Sequence, residues 1–306
     1  MKKFTVIILV VALVLSVFAF TSCAGNAPAA ESAAQSSAAA PSEAAASSAP
    51  AEESASAEPA ASGDFKVGLE CNYAPFNWTQ TQESDLTVPI NGGGFADGYD
   101  VQIAKKIAEG LGKNLVIVKT EWDGLIPALL SNKIDAIIAG MSPTEERKAT
   151  IDFTDAYYTS ELVIVVQKDS QYASAKSLAD FSGAKITGQL DTFHYSVIDQ
   201  IQGVEKQTAM ETFPAMIVAL TSGKIDGYIS ELPGAVSAVA ANPNLSYVQF
   251  AEGSGFQTNP EDVQVAVGMK KGDENQSKIN EILAGISQED REKMMEDAVA
   301  RQPVSQ

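Results

Sequence analysis

The sequence has few of the residues that carry metal and redox chemistry. One histidine and two cysteines occur in 306 residues. So small a set cannot build a conventional three- or four-ligand zinc site, and the sequence calls for no cofactor. Two cysteines also exclude a multi-disulfide framework. Basic residues are scarce: 21 Lys and Arg stand against 39 Asp and Glu, a net charge of −18. That balance argues against binding a phosphate backbone, so no nucleic-acid partner is expected. Beyond residue 20 there is no apolar run of membrane-spanning length, which excludes a multi-span membrane protein. The Gly-rich stretch "NGGGFADG" (91–98) lacks the Lys-Ser/Thr ending of a phosphate loop and reads as a turn.

What is present begins with Lys2 and Lys3, an uncharged apolar run from Phe4 to Phe20, and "FTSC" at 20–23. A charged start, a short apolar core and small residues describe a secretory signal peptide. Cys23 after small residues resembles the lipobox of bacterial lipoproteins, although Phe20 stands where Leu is usual. The resemblance implies cleavage after residue 22, lipidation of Cys23 and anchoring to the cell membrane. Cys71 is then the remaining cysteine, expected to be a small buried hydrophobe. Residues 24–63 contain 18 Ala, nine Ser and four Pro, and no aromatic, Leu, Ile or Val. Such a segment cannot bury enough apolar area to offset its ordering entropy, so 23–63 is expected to be a flexible tether.

From residue 64 onward, strand-like runs alternate with amphipathic ones. "FKVGLE" (65–70), "NLVIVKT" (114–120), "IDAIIAG" (134–140) and "LVIVVQK" (162–168) read as strands. "DVQIAKKIAEGLG" (100–112) reads as a helix stopped by Gly112, and "DGLIPALLSN" (123–132) as a short helix capped by Asp123. The pattern restarts with a strand at 184–190, a helix at 192–201, a helix at 211–223, a strand at 225–230 and a helix at 232–242. A strand at 246–250, a strand at 262–271 and helical sequence over 280–299 complete it. Alternation of this kind predicts α/β layers around parallel sheets. One stretch occurs twice: "ALLSNKIDAII" (128–138) and "ALTSGKIDGYI" (219–229). Two restarts and an internal repeat predict two similar lobes, with ligand bound at the carboxyl ends of the strands. The repeat places Gly140 and Glu231 at equivalent positions, each just beyond a strand.

"GMSPTEER" (140–147) follows the first copy and fits a capping box, with Ser142 as N-cap, Pro143 at N1 and Glu145 at N3. A helix start and Arg147 together suit an anion such as a carboxylate. Taken alone, the motif also fits an ordinary surface helix whose Arg147 pairs with Glu145 or Glu146. Glu231, after the second copy, offers a carboxylate to an ammonium, or is a solvated loop residue. Paired, the two positions suit a zwitterion such as a free α-amino acid. His194 is expected at the surface or rim.

"NYAPFNW" (72–78), "GYDVQIAKKIAEGLG" (98–112), "EWDGLIPALLSNKIDAIIAGMSPTEERKATIDFTDAYYTS" (121–160) and "AVGMKKGD" (266–273) resemble the polar-amino-acid-binding proteins of bacterial ABC importers. The resemblance implies an α/β type II periplasmic-binding-protein fold, two lobes joined by two crossing strands near 158–160 and 262–264. Lobe 1 would comprise 64–160 and 262–306, and lobe 2 would comprise 161–261. It implies that Arg147 grips the ligand α-carboxylate, with Ser142 and the chain at Gly140 and Met141. Thr192 would cap that carboxylate from the second lobe; Asp191 stands where the family usually has Gly. Glu231 stands where an Asp usually holds the α-ammonium. Tyr73 and Trp122 resemble the aromatic pair around the ligand side chain, and Glu70 the acid that reads it. A buried carboxylate at Glu70 pairs best with a cation, so a basic amino acid is expected, arginine first. The implied partners are a free amino acid and an ABC permease, and the protein is expected to be monomeric. A lyase on the same fold, with Glu70 or Glu231 as acid or base, and a ligand-sensing module are the competing readings. The sequence offers no Ser–His–Asp set to favour the enzyme.

Overall fold

The computed structural model describes residues 63–303. The expected signal peptide, Cys23 and the tether up to residue 62 lie outside the described residues. The chain opens with β1 (Asp64–Leu69), β2 (Asn72–Tyr73), β3 (Asn77–Gln80), β4 (Val88–Pro89) and β5 (Phe95–Asp97). Then come α1 (Tyr99–Leu111), β6 (Asn114–Lys119), α2 (Leu125–Leu130), β7 (Ala136–Ile137), α3 (Glu145–Lys148) and β8 (Asp152–Thr159). The second half holds β9 (Leu162–Gln167), β10 (Lys185–Thr187), α4 (Phe193–Ser196), β11 (Glu205–Lys206), α5 (Phe213–Thr221), β12 (Gly227–Glu231), α6 (Leu232–Ala241) and β13 (Leu245–Val248). It closes with β14 (Gln264–Met269), α7 (Gln276–Ala284) and α8 (Gln288–Arg301).

Two five-stranded sheets result, in the orders β6-β1-β7-β14-β8 and β11-β10-β12-β9-β13, with a four-stranded sheet β2-β3-β5-β4 beside the first. Each large sheet has three parallel strands, but neither is wholly parallel as expected. β14 runs antiparallel to β7 and β8, and β9 runs antiparallel to β12 and β13. The cause is the double crossing. The chain leaves the first sheet from β8 directly into β9 and returns in β14, so strands that carry it between lobes run against their neighbours. The crossings lie side by side, with Ser160 N–H donating to the Val263 carbonyl at 2.9 Å.

The central strands of both large sheets are apolar because both faces are covered. β9 buries its first five residues, and Val67 and Leu69 of β1 are fully buried. α1 presents Val101, Ile103, Ala104, Ile107 and Ala108 to this core and stops at Gly112, whose left-handed φ of 64° lets its N–H bond back to the last turn. The repeated sequence forms the same turn in both lobes. Lys133 N–H bonds Ala128 O at 3.0 Å and Lys224 N–H bonds Ala219 O at 2.9 Å. The preceding residues, Asn132 and Gly223, both have positive φ, 61° and 73°. These residue types adopt that conformation at least cost.

Three local expectations are corrected. Asp123 is not a helix cap; it lies inside a 3-10 turn, Trp122–Gly124, that precedes α2. The helix expected over 192–201 is α4 followed by a 3-10 turn, Val197–Gln200. Ser142 is not the N-cap of the Arg147 helix. That helix is one turn long and is capped by Thr144, whose hydroxyl accepts from Arg147 N–H. Ser142 instead donates its hydroxyl to the Asp262 carbonyl at 3.0 Å, tying the strand end to the return crossing. No described helix is long and apolar enough to cross a membrane.

Candidate functional site

Four strand ends converge between the lobes. β1 delivers Glu70, with Tyr73 following on β2, β7 delivers Gly140, β10 delivers Gln189 and Thr192, and β12 ends on Glu231. Three of these turns use left-handed backbone: Cys71 (φ 56°), Gly140 (φ 61°) and Asp191 (φ 54°). At Gly140 a side chain is doubly disfavoured, because a Cβ would also stand 3.0 Å from the Tyr73 ring. Asp191 occupies the same conformation that a glycine would adopt freely, and Asp is among the residues that tolerate it.

Arg147 reaches across the cleft. Its guanidinium donates to the Ser142 carbonyl at 2.9 Å and to the Asp191 carbonyl of the other lobe at 3.0 Å. It lies 5.1 Å from the Trp122 ring centroid, a cation–π contact. It pairs with neither Glu145 nor Glu146. Burial pushes its pKa down to about 10, so it stays charged at neutral pH. Thr192 donates its hydroxyl to the Gln189 carbonyl at 2.7 Å and begins α4. Met141 is buried, and its carbonyl accepts from Ala266 N–H at 3.0 Å.

Both acids are buried, each 2% exposed. Glu231 accepts a hydrogen bond from the Tyr73 hydroxyl, and its Oε1 lies 2.9 Å from His194 Nε2. Burial works to raise its carboxyl. The His194 imidazole and the Tyr73 hydroxyl outweigh burial and hold it below the usual range. Glu70 has less support. Its Oε2 accepts from Gln189 Nε2 at 3.3 Å and its Oε1 has no partner. Burial raises its carboxyl to about 7, against the Gln189 bond, with Glu121 and Asp100 adding to the rise. Tyr73 stacks on Phe76 at 4.9 Å and on Phe213 of the second lobe at 4.3 Å. It therefore faces other rings here rather than Trp122.

The space enclosed is small. A cavity of about 10 Å³ is bounded by Tyr73, Trp122, Arg147, Gln189, Thr192 and His194, among others. That is the room of about one water molecule. It shares Trp122, Arg147, Thr192 and Phe193 with a wider outer cleft of about 1320 Å³ that Met141 also lines. Neither acid borders the inner cavity. Glu231 lies behind Tyr73 and His194, and Glu70 behind Gln189.

Sequence reasoning missed Gln189, His194 and Phe213. His194, expected at the surface or rim, is 4% exposed and lines the inner cavity. Its position was legible, since it opens the helix after the Thr192 turn, but its direction was not. A further network supports Gly140: its N–H donates to the Tyr157 hydroxyl at 3.1 Å, which donates to buried Asp100 at 2.7 Å. Among the described residues no cluster of His, Cys, Asp and Glu could hold a metal ion.

An arginine facing a carbonyl-lined gap, with two acids behind polar side chains and three aromatic rings, has the chemistry to hold a small charged solute. The comparisons agree. The model of the bacterial extracellular solute-binding proteins, family 3, matches residues 65–297. The "Probable histidine-binding protein" of Campylobacter jejuni is 36% identical over 189 residues, 61% of this chain and 68% of that protein. The solved structure of holo ArgBP from T. maritima superposes with a TM-score of 0.60 at 32% identity, covering 74% of this chain and 92% of that one. A structure described as an ancestral arginine-binding protein bound to glutamine superposes with a TM-score of 0.64 at 30% identity, covering 77% and 97%. With its two lobes, double crossing and converging strand ends, the chain belongs to the bacterial extracellular solute-binding proteins, family 3.

Proposed function

We propose that this protein is the extracytoplasmic substrate-binding component of an amino-acid ABC importer and captures a free basic amino acid, arginine first. The observation that supports the reading is that Arg147 lines the inner cavity from one lobe while Glu231 stands on the other lobe directly behind two of its lining residues, Tyr73 and His194. A permanent cation and an ionised carboxylate suit the two ends of an α-amino acid. Glu70 supplies the preference for a basic side chain, because a buried carboxylate with an unpartnered oxygen gains most from a cation. The names of the relatives, histidine- and arginine-binding, support the same ligand class.

Binding requires the contacts that now fill the gap to open, since the cavity is far smaller than any amino acid. Tyr73, Phe213, Gln189 and Asp191 must separate or turn, and ligand contacts to both lobes then hold the closed form. Lobe 1 comprises 64–160 and 262–306 in this reading, and lobe 2 comprises 161–261. Delivery is to a membrane permease, with the mature chain held at the cell membrane by a lipid on Cys23 and ranging on its tether as a monomer. Arg147, Ser142, Gly140, Met141 and Thr192 serve the carboxylate end. Tyr73 and Trp122 flank the side chain once Tyr73 leaves Phe213.

A thermal-shift screen across the amino acids, followed by calorimetry and recovery of the ligand, tests the function. Tight binding of arginine, returned unchanged, is expected. Turnover of the ligand would favour the lyase reading, and no stabilisation by any amino acid would reject amino-acid capture. Labelled fatty-acid incorporation that is lost in Cys23→Ser tests the anchor.

A further inference from the structure

The C-terminal end of α8 holds both lobes. α8 follows β14 of the first sheet and packs on α1, burying Met295 and Ala298. α6 lies between β12 and β13 of the second sheet and meets α8 across a seam. Arg301, the last residue of α8, donates to Asp97 Oδ1 of β5 at 3.1 Å. The next residue, Gln302, grips the other lobe. Its side-chain amide donates to the Ser237 carbonyl of α6 at 2.9 Å, and its side-chain oxygen accepts from the Ser237 hydroxyl. Ser237, Gln302 and Asp97 are all buried. The other residues that α6 buries are Pro233, Gly234, Ala235 and Ala238. Such small side chains give a shallow surface that fixes no register, whereas a buried, reciprocated polar pair does. α6 begins directly after Glu231. Asp97 belongs to the small sheet, in which β5 pairs with β3 and β3 with β2, the strand of Tyr73. Residues 301 and 302 therefore hold the sheet that carries Tyr73 and the helix that follows Glu231. Tyr73 and Glu231 are themselves hydrogen-bonded across the lobes, which closes a ring of contacts. None of Asp97, Ser237, Arg301 and Gln302 lines the inner cavity or the outer cleft.

We infer that Gln302 is a positioning residue for ligand capture: through Ser237 it latches α6, and with it Glu231, to the first lobe, and the latch holds the lobes closed on a bound ligand. The inference rests on the amino-acid-binding reading above. Gln302 does not touch the ligand; it sets how long the ligand stays. An opening motion that carries α6 away from α8 must break both hydrogen bonds and hydrate the pair. At the net worth of two buried hydrogen bonds, the latch slows that opening about tenfold. It forms as the lobes close, after the ligand has entered, so it does not assist entry.

Release of labelled L-arginine from the full-length chain into an excess of unlabelled arginine reads the latch. Gln302→Ala should release arginine about tenfold faster than the unmodified protein, with association no slower. Ser237→Ala removes only the hydroxyl and should accelerate release by a smaller factor. It carries the test if Gln302→Ala fails to fold. Asp135→Ala is the control. It deletes a carboxylate that accepts from Lys66 N–H in the first sheet, away from the seam, so it should weaken the fold and leave release unchanged. Release from the folded Gln302 or Ser237 variant at the unmodified rate overturns the inference. Equal acceleration by Asp135→Ala also overturns it, because lost stability alone would then account for the effect. Either result leaves the proposed function standing. If the unmodified protein retains no amino acid, the proposed function and the latch fail together.

Discussion

Asp135 and Asp226 do the same work in the two lobes: each carboxylate accepts a hydrogen bond of 2.8 Å from a backbone N–H at the start of the neighbouring strand, Lys66 and Lys185 respectively. Each also donates its own N–H back to that residue's carbonyl, at 2.7 and 2.8 Å. The Lys-Ile-Asp of the repeat is therefore a strand-register clip. It pins the strand that ends at Gly140 to β1, and the strand that ends at Glu231 to β10. The clips sit at the opposite end of each sheet from the ligand cleft and set the register that carries the site residues to their places.

Removal of either clip should destabilise without touching the cleft. Asp135→Ala and Asp226→Ala are each expected to cost about 1 kcal/mol, the scale of one hydrogen bond to an exposed carboxylate. The costs should add in the double variant, because the sites share no partner. Urea unfolding measures this. A double variant no less stable than either single would show that the clips are redundant.

Arg147→Ala should leave a folded protein that has lost amino-acid binding. The side chain caps no core, and α3 is held by Thr144. The expected loss is several kcal/mol, as for other buried charge pairs broken from one side. Calorimetry with arginine is the measurement. An affinity within tenfold of the unmodified protein, with an unchanged melting temperature, would remove Arg147 from the carboxylate-binding role.

Glu70 links stability to pH in the direction opposite to a salt-bridged carboxylate. Its pKa rises from 4.5 to about 7 on folding, so the folded chain holds the proton more tightly than the unfolded one. Stability contributed by this group is greatest below pH ~4.5 and is lost as pH rises through ~7, by up to about 3 kcal/mol. In Glu70→Gln that part of the pH slope should vanish, as read from unfolding midpoints between those values. The same variant should shift ligand preference from arginine toward glutamine or citrulline. A wild-type protein that already favours neutral ligands would refute the charge argument.

Asp191→Gly should be neutral to stabilising, by at most about 1 kcal/mol. The left-handed backbone costs a non-glycine residue roughly 1–2 kcal/mol, and glycine's larger unfolded-state entropy returns part of the gain. Arg147 contacts the residue 191 carbonyl rather than its side chain, so arginine affinity should stay within about threefold. A clear loss of stability would assign the Asp191 carboxylate a structural role that the static contacts do not reveal.

The primary sequence by itself determined the alternation of strands and helices, the repeat that announces two lobes, the positions of Glu70 and Glu231 at strand ends, and Arg147 on the helix that follows the first copy of the repeat. These are local properties, written in hydrophobic period and turn chemistry. It also determined the Gly112 stop and the buried state of Cys71, because glycine and a lone thiol have few alternatives. The tertiary structure decided the rest. A strand's direction relative to its neighbours depends on how the chain crosses between lobes, so the antiparallel returns of β9 and β14 left no local trace. The capping box at Ser142 failed because α3 starts later, at Glu145, where Thr144 accepts from Arg147 N–H; the Ser142 hydroxyl instead donates to the Asp262 carbonyl, 120 residues along the chain. His194 is the sharpest case. A histidine at a helix start has no intrinsic preference for inside or outside. Only the closing of Tyr73 and Phe213 around it, beside the carboxylate at the end of β12, turned a nominal surface residue into the buried partner of Glu231.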